Sequence, residues 1–295
     1  MCRMSALAAT ALALILAAEP AYAWPGRGGD KTASDKTGSD RAASDRAATA
    51  EPARASAADK AAPPAPPRPA TPEERAIANR LDPLARAAFW AREAEIAPSD
   101  AEAGANLSQA LRAMGKYPEA AAAAQRTLSV APDSVEVLLE LARAQIGAGR
   151  GFYAIEPARR AQALAPRDWR PLSLLGVAYE QAERPGEALA AHRQAVALAP
   201  NNPAAIGNLA MFLAGQGQTA EAEQLLRKAA AMPGAPIHVR QNLALVLGLQ
   251  GRLAEAEALA RQDLPPAMVE SNMAYLRAAN SLGASRSWDS VRGTP

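Results

Sequence analysis

Asp168–Pro200 reads DWRPLSLLGVAYEQAERPGEALAAHRQAVALAP. Two runs of helical spacing lie within it, Leu172, Leu175, Tyr179 and then Ala188, Ala191, Ala195, and a Pro185-Gly186 breaker divides them. The stretch predicts two antiparallel helices joined by a turn. Stepping along the chain by 34 residues finds the unit twice upstream and twice downstream with no insertion or deletion. Leu107, Leu141, Leu175, Leu209 and Leu243 form one ladder, and Ala120, Ala154, Ala188, Ala222 and Ala256 a second. A third, Ser108, Ala142, Gly176, Ala210 and Ala244, holds only small residues.

Such ladders have a physical cause. A two-helix unit cannot bury its apolar face alone, so it stacks on copies of itself, with small side chains where helices cross closely and leucines between layers. The period and the L-x-x-L-G-x-x-Y pattern at Leu172, Leu175, Gly176 and Tyr179 resemble the tetratricopeptide repeat. That resemblance implies an all-α solenoid of about five helix pairs.

Asp100, Ser134, Asp168 and Asn202, again 34 residues apart, are good N-cap residues for the first helix of each pair. The repeats should therefore run Ala101–Ser134, Val135–Asp168, Trp169–Asn202, Pro203–Pro236 and Ile237 to about Val269. Upstream, Thr71-Pro72-Glu73-Glu74 is a capping box that should open a short helix to about Arg80, and Asp82-Pro83 should start another ending near Ile96. Pro157 lies within the second helix of repeat two, where a kink or a late start is expected. After Asp263 the pattern fades, and Pro265-Pro266 should begin a capping helix to about Ala279.

The rest of the chain reads differently. Arg3, an apolar run from Ala6 to Ala18, and Ala21-Tyr22-Ala23 have the order of a signal peptide over 1–23, with the mature chain starting at Trp24. The single cysteine, Cys2, precedes the apolar run, so no lipid anchor is expected. From 24 to 70 four pentapeptides, DKTAS, DKTGS, DRAAS and DRAAT, lead into a Pro- and Ala-rich stretch with almost nothing large to bury, which predicts a disordered linker. The repeat domain should occupy 71–280, and 281–295 should be a loose tail.

Composition narrows function. Hydrophobic residues make up 49% of the chain but aromatics only 4%, as an Ala- and Leu-rich solenoid requires. A net charge of +2 gives no basis for a nucleic-acid partner. One cysteine and two histidines leave too few ligands for a zinc site. His192 falls on an inward-facing stripe and reads as a packing residue, and His238 has no second ligand or nucleophile at a useful spacing. No catalytic, cofactor or metal site is expected, and the chain reads as a non-enzymatic binding protein.

The tetratricopeptide resemblance also implies a groove lined by the first helix of each pair, where a partner peptide would lie. Its candidate residues are Asn106, Gln109, Asn208, Met211, His238, Asn242, Leu245 and Leu249. A role for Asn208 and Asn242 in local packing alone is the competing reading. Val239–Ala278, VRQNLALVLGLQGRLAEAEALARQDLPPAMVESNMAYLRA, and Phe89–Ala103, FWAREAEIAPSDAEA, resemble the TadD family of Flp pilus (tight adherence) assembly proteins. This resemblance implies an exported scaffold of the periplasm or the outer membrane, with peripheral outer-membrane association open, whose partners are the Flp secretin or pilus-assembly proteins. A general periplasmic scaffold serving β-barrel or peptidoglycan assembly is the alternative, and the oligomeric state stays open.

Overall fold

The computed structural model describes residues 68–284. The signal peptide, nearly all of the linker and the tail from 285 onward lie outside the described residues. Among the described residues there are thirteen helices and no strand. Two leading helices, α1 (Pro72–Ala78) and α2 (Pro83–Ile96), precede five pairs. The pairs are α3 (Ala101–Ala113) with α4 (Tyr117–Leu128), α5 (Val135–Gly147) with α6 (Gly151–Leu164), and α7 (Trp169–Gln181) with α8 (Pro185–Leu198). They continue as α9 (Pro203–Gly215) with α10 (Thr219–Ala230) and α11 (Ile237–Leu249) with α12 (Leu253–Ala260), and α13 (Pro266–Ala284) closes the stack.

Four of the five first helices start directly after a member of the N-cap ladder, and the fifth, α11, follows Pro236, which makes no side-chain cap bond. Asp100, Ser134, Asp168 and Asn202 each accept a bond from a backbone amide in the first turn of their helix. The second helices have no such cap: Lys116, Arg150, Arg184, Gln218 and Arg252 precede them without a side-chain bond. Their start is fixed by the turn instead. The amide of each of these five residues reaches back to the carbonyl of Leu111, Gln145, Tyr179, Leu213 or Leu247. The residue before it takes a positive φ, Gly115, Gly149, Glu183, Gly217 or Gly251. This is a helix C-cap that favours glycine, and repeat three makes it with a glutamate at φ 57°.

The ladders are the core. Ala120, Ala154, Ala188, Ala222 and Ala256 are all wholly buried, and the ladder leucines are at most 9% exposed. Gly176 shows why the small-residue ladder exists: a Cβ there would lie 2.4 Å from the His192 ring. His192, expected as a packing residue, is wholly buried and its Nε2 is 2.8 Å from Glu180 Oε1, but its Nδ1 has no hydrogen-bond partner. It is packed but only half satisfied.

Two helix boundaries depart from expectation. α6 starts at Gly151, in register with the other second helices, and passes through the buried Pro157 to Leu164. The late start expected there does not occur, because the turn at Gly149 sets the helix start six residues before the proline matters. α13 runs to Ala284, beyond Ala279. At the other end the capping box at Thr71 and Glu74 forms as read. Arg75 then ties α1 to the stack through Glu93, Asp100 and Glu102 at 3.1, 2.6 and 2.6 Å, and the wholly buried Trp90 donates to Asn79 Oδ1. No helix among the described residues is long and apolar enough to cross a membrane.

Candidate functional site: a groove along the first helices

A cavity of about 700 Å³ runs along the stack, and all but one of its lining residues come from α3, α5, α7, α9 and α11, the first helices. The exception, Ser134, is the N-cap of α5. The second residue of each first helix contributes every time: Glu102, Glu136, Arg170, Ala204 and His238. This follows from the helix period, because residues one and two turns further on share that face. Asn106, Gln109, Glu140, Arg143, Leu174, Val177 and Asn208 line the wall at those positions, and Arg112 and Ile146 one turn beyond them.

The groove is charged at one end and apolar further along. Glu140, 6% exposed, holds Arg112 Nε at 3.2 Å and Arg143 Nη1 at 2.5 Å, so one carboxylate serves two guanidinium groups. One repeat further, Arg170 grips both oxygens of Glu136 at 3.0 and 2.7 Å and reaches Asp168 Oδ2 at 2.8 Å. Burial pushes the Asp168 carboxyl upward, but the bonds from Arg170 outweigh it and hold the group below its ordinary range. Ile146, Leu174 and Val177 then form an apolar wall, followed by Asn208, whose Nδ2 donates to Ser173 Oγ at 2.6 Å. Burial lowers the His238 pKa, so the imidazole at the far end is neutral at neutral pH. Such a surface can bond an extended backbone through amide side chains and take an apolar side chain beside them.

The structure brings four of the eight candidate residues together in this groove: Asn106, Gln109, Asn208 and His238. The other four lie elsewhere. Met211, Asn242 and Leu245 are 1%, 2% and 7% exposed, and Met211 and Leu245 pack into the main core cluster with Val177. Leu249 is 38% exposed and does not line the cavity. Asn242 is one repeat on from Asn208 but lacks its partner. Asn208 meets the hydroxyl 35 residues before it, whereas the residue 35 before Asn242 is Gly207, and Asn242 Oδ1 is buried without a hydrogen bond. The charged residues Glu102, Arg112, Glu136, Glu140, Arg143 and Arg170 were not among the candidates. The ladder of second helical residues would have found Glu136 and Arg170, since all five of its members line the groove.

Among the described residues no group of His, Cys, Asp and Glu is arranged to hold a metal ion. Profiles of the tetratricopeptide repeat match residues 179–233 and, with a second profile, 101–131 and 237–264. No curated protein matches the chain. Among solved structures it is similar to TTC0263, a thermophilic tetratricopeptide protein of Thermus thermophilus, at 24% identity and a TM-score of 0.54 over 60% of this chain and 99% of that one. MamA of Desulfovibrio magneticus RS-1 aligns at 21% identity and a TM-score of 0.45, over 53% of this chain and 90% of that one. PilF of Pseudomonas aeruginosa aligns at 18% identity and a TM-score of 0.49, over 69% and 92%. The repeat period, the matched segments and the fold agree: the described chain is a tetratricopeptide-repeat α-solenoid, the architecture of a protein–protein interaction scaffold.

Proposed function

We propose that the chain is a non-enzymatic scaffold of the bacterial cell envelope that holds a segment of a partner protein along the first helices and serves Flp (tight adherence) pilus assembly. The observation that carries the binding role is the groove itself, about 700 Å³, to which all five first helices contribute. A volume of that size suits several residues of an extended or helical peptide. The pilus role rests on the sequence resemblance at Phe89–Ala103 and Val239–Ala278. The signal-peptide pattern at 1–23 supports export to the periplasm. The partner in this reading is the Flp secretin or one of its companion assembly proteins.

The test is a crosslinked pull-down of the tagged protein from its native envelope, run beside Asn106→Ala/Asn208→Ala. Both residues are half-buried at the groove wall, so the double variant should keep its helicity and melting temperature. Secretin or pilus components should come down with the wild type and fall away with the variant. Equal recovery by both would remove the groove from the reading. Recovery of β-barrel or peptidoglycan machinery alone would replace the pilus role with that of a general periplasmic scaffold.

A further inference from the structure

The second helices open on the same pattern in four of five repeats: Pro118-Glu119, Gly186-Glu187, Ala220-Glu221 and Ala254-Glu255. Repeat two has Phe152-Tyr153 there instead. Both rings stand in solvent, 68% and 65% exposed, edge to face with centroids 5.7 Å apart. The fold does not call for them, because α6 is buried through Ala154, Ile155, Pro157, Ala158 and Ala161. In a chain with three Phe and five Tyr, an exposed adjacent pair is a concentrated use of aromatic surface.

The substitution also changes the charge. In repeats three and five the glutamate is gripped by the arginine three residues before it, Arg184 with Glu187 and Arg252 with Glu255. Repeat two keeps that arginine, Arg150, at the same place before the helix. With Tyr153 in the glutamate position, the exposed Arg150 guanidinium has no ion pair or side-chain hydrogen bond among the described residues. At the same three-residue offset in repeat five, Arg252 bonds both oxygens of Glu255.

We propose that Arg150, Phe152 and Tyr153 form a second docking surface, on the second-helix side of the solenoid, for a protein segment that presents a carboxylate next to an aromatic side chain. The partner's carboxylate takes the place that Glu187 and Glu255 hold in their own repeats, and its ring covers Phe152 and Tyr153. An anionic membrane fits less well. Exposed Glu156 follows Phe152 by one turn and Glu119 opens the preceding second helix, while Arg159 and Arg160 further along α6 are turned to Tyr179 and the Pro132 carbonyl, so a sheet of anionic headgroups would meet carboxylates beside Arg150. A single carboxylate on a peptide would not. The surface is independent of the first-helix groove.

The test uses fluorescein-labelled Gly-Ser-Phe-Glu-Trp-Glu-Phe-Ser-Gly, the same peptide with Gln for Glu, and vesicles of equal parts phosphatidylcholine and phosphatidylglycerol. Each is titrated with the full chain, with Phe152→Ala/Tyr153→Glu, with Arg150→Gln and with Asn106→Ala/Asn208→Ala. The first double variant writes the Ala-Glu of repeats four and five into repeat two, so it should fold with unchanged helicity. The acidic peptide should bind the full chain saturably, and at least about tenfold more weakly to Phe152→Ala/Tyr153→Glu and to Arg150→Gln, with the groove variant unaffected. The Gln peptide should lose a similar factor against the full chain. Equal binding of both peptides, binding that survives Phe152→Ala/Tyr153→Glu, or no saturable binding would overturn the proposal. Vesicle binding lost in that variant without peptide binding would also overturn it and assign the surface to lipid.

Discussion

Two glycines in the middle of first helices, Gly176 and Gly207, face opposite constraints. A Cβ at Gly176 would meet three atoms of the His192 ring at 2.4 to 2.6 Å, and His192 is wholly buried with no room to retreat. At Gly207 the nearest atom is Val239 Cγ2 at 3.6 Å, an ordinary contact. Gly176→Ala should therefore cost about 1–3 kcal/mol by overpacking. Gly207→Ala should stabilise by about 1 kcal/mol, the helix-propensity difference between the two residues. Urea midpoints of the two variants check both signs, and a destabilising Gly207→Ala would mean that Val239 does not accommodate the added methyl.

At the scale of the helix and its turns, the asymmetry between first and second helices sets the stability of each unit. Asn202 caps α9 with bonds to the amides of Ala204 and Ala205 at 2.9 and 3.1 Å, so Asn202→Ala should cost about 1 kcal/mol. Gln218, before α10, makes no cap bond, and Gln218→Ala should change the melting temperature little. Glu183 carries the turn that glycine carries in the other four repeats. A left-handed residue with a Cβ costs about 1–2 kcal/mol, against about 0.5–1 kcal/mol for the extra freedom of glycine in the unfolded chain, so Glu183→Gly should be stabilising by a few tenths or more. The caps were legible in the sequence because one residue type at one spacing decides each of them. Burial along the groove was not. Arg143, Met211 and Leu245 hold the same ladder position, yet the arginine lines the cavity while the methionine and leucine pack into the core. A ladder says which face of a helix a residue occupies, and the neighbouring repeat's side chain decides whether that face is open. The same limit hid the surroundings of Asn242, whose Oδ1 is buried without a hydrogen bond and whose amide nitrogen finds Gly207 where Asn208 Nδ2 finds the Ser173 hydroxyl.

Over the whole stack, repeats couple only to their neighbours, so a disturbance should stay local. Glu223 of repeat four binds Arg252 of repeat five at 2.7 Å and Arg227 at 2.8 Å, bonds that hold its carboxyl below the ordinary range. A depressed carboxyl contributes stability above its unfolded pKa of about 4.3 and loses it as pH falls through the lower folded value, so the melting temperature should be level from neutral pH to about 5 and drop below about 4. Glu223→Gln should flatten that drop. The closing helix offers a sharper test of locality. α13 covers the last pair through Leu276, 2% exposed, whose methyls occupy the space over Gly248 that a Cβ would claim at 2.3 Å, and through Asn280, which donates to the Gly248 carbonyl. Leu276→Ala should cost roughly 2–5 kcal/mol where it acts, by transfer and by the cavity it leaves. In a cooperative two-state fold that loss would appear as uniformly faster amide exchange. In a stack with nearest-neighbour coupling, hydrogen exchange should accelerate in α11 and α12, less in α9 and α10, and not at all in α3 to α6. Uniform acceleration in Leu276→Ala would show that the five pairs unfold as one unit, and that a partner held in the groove stabilises the whole stack rather than the repeats it touches.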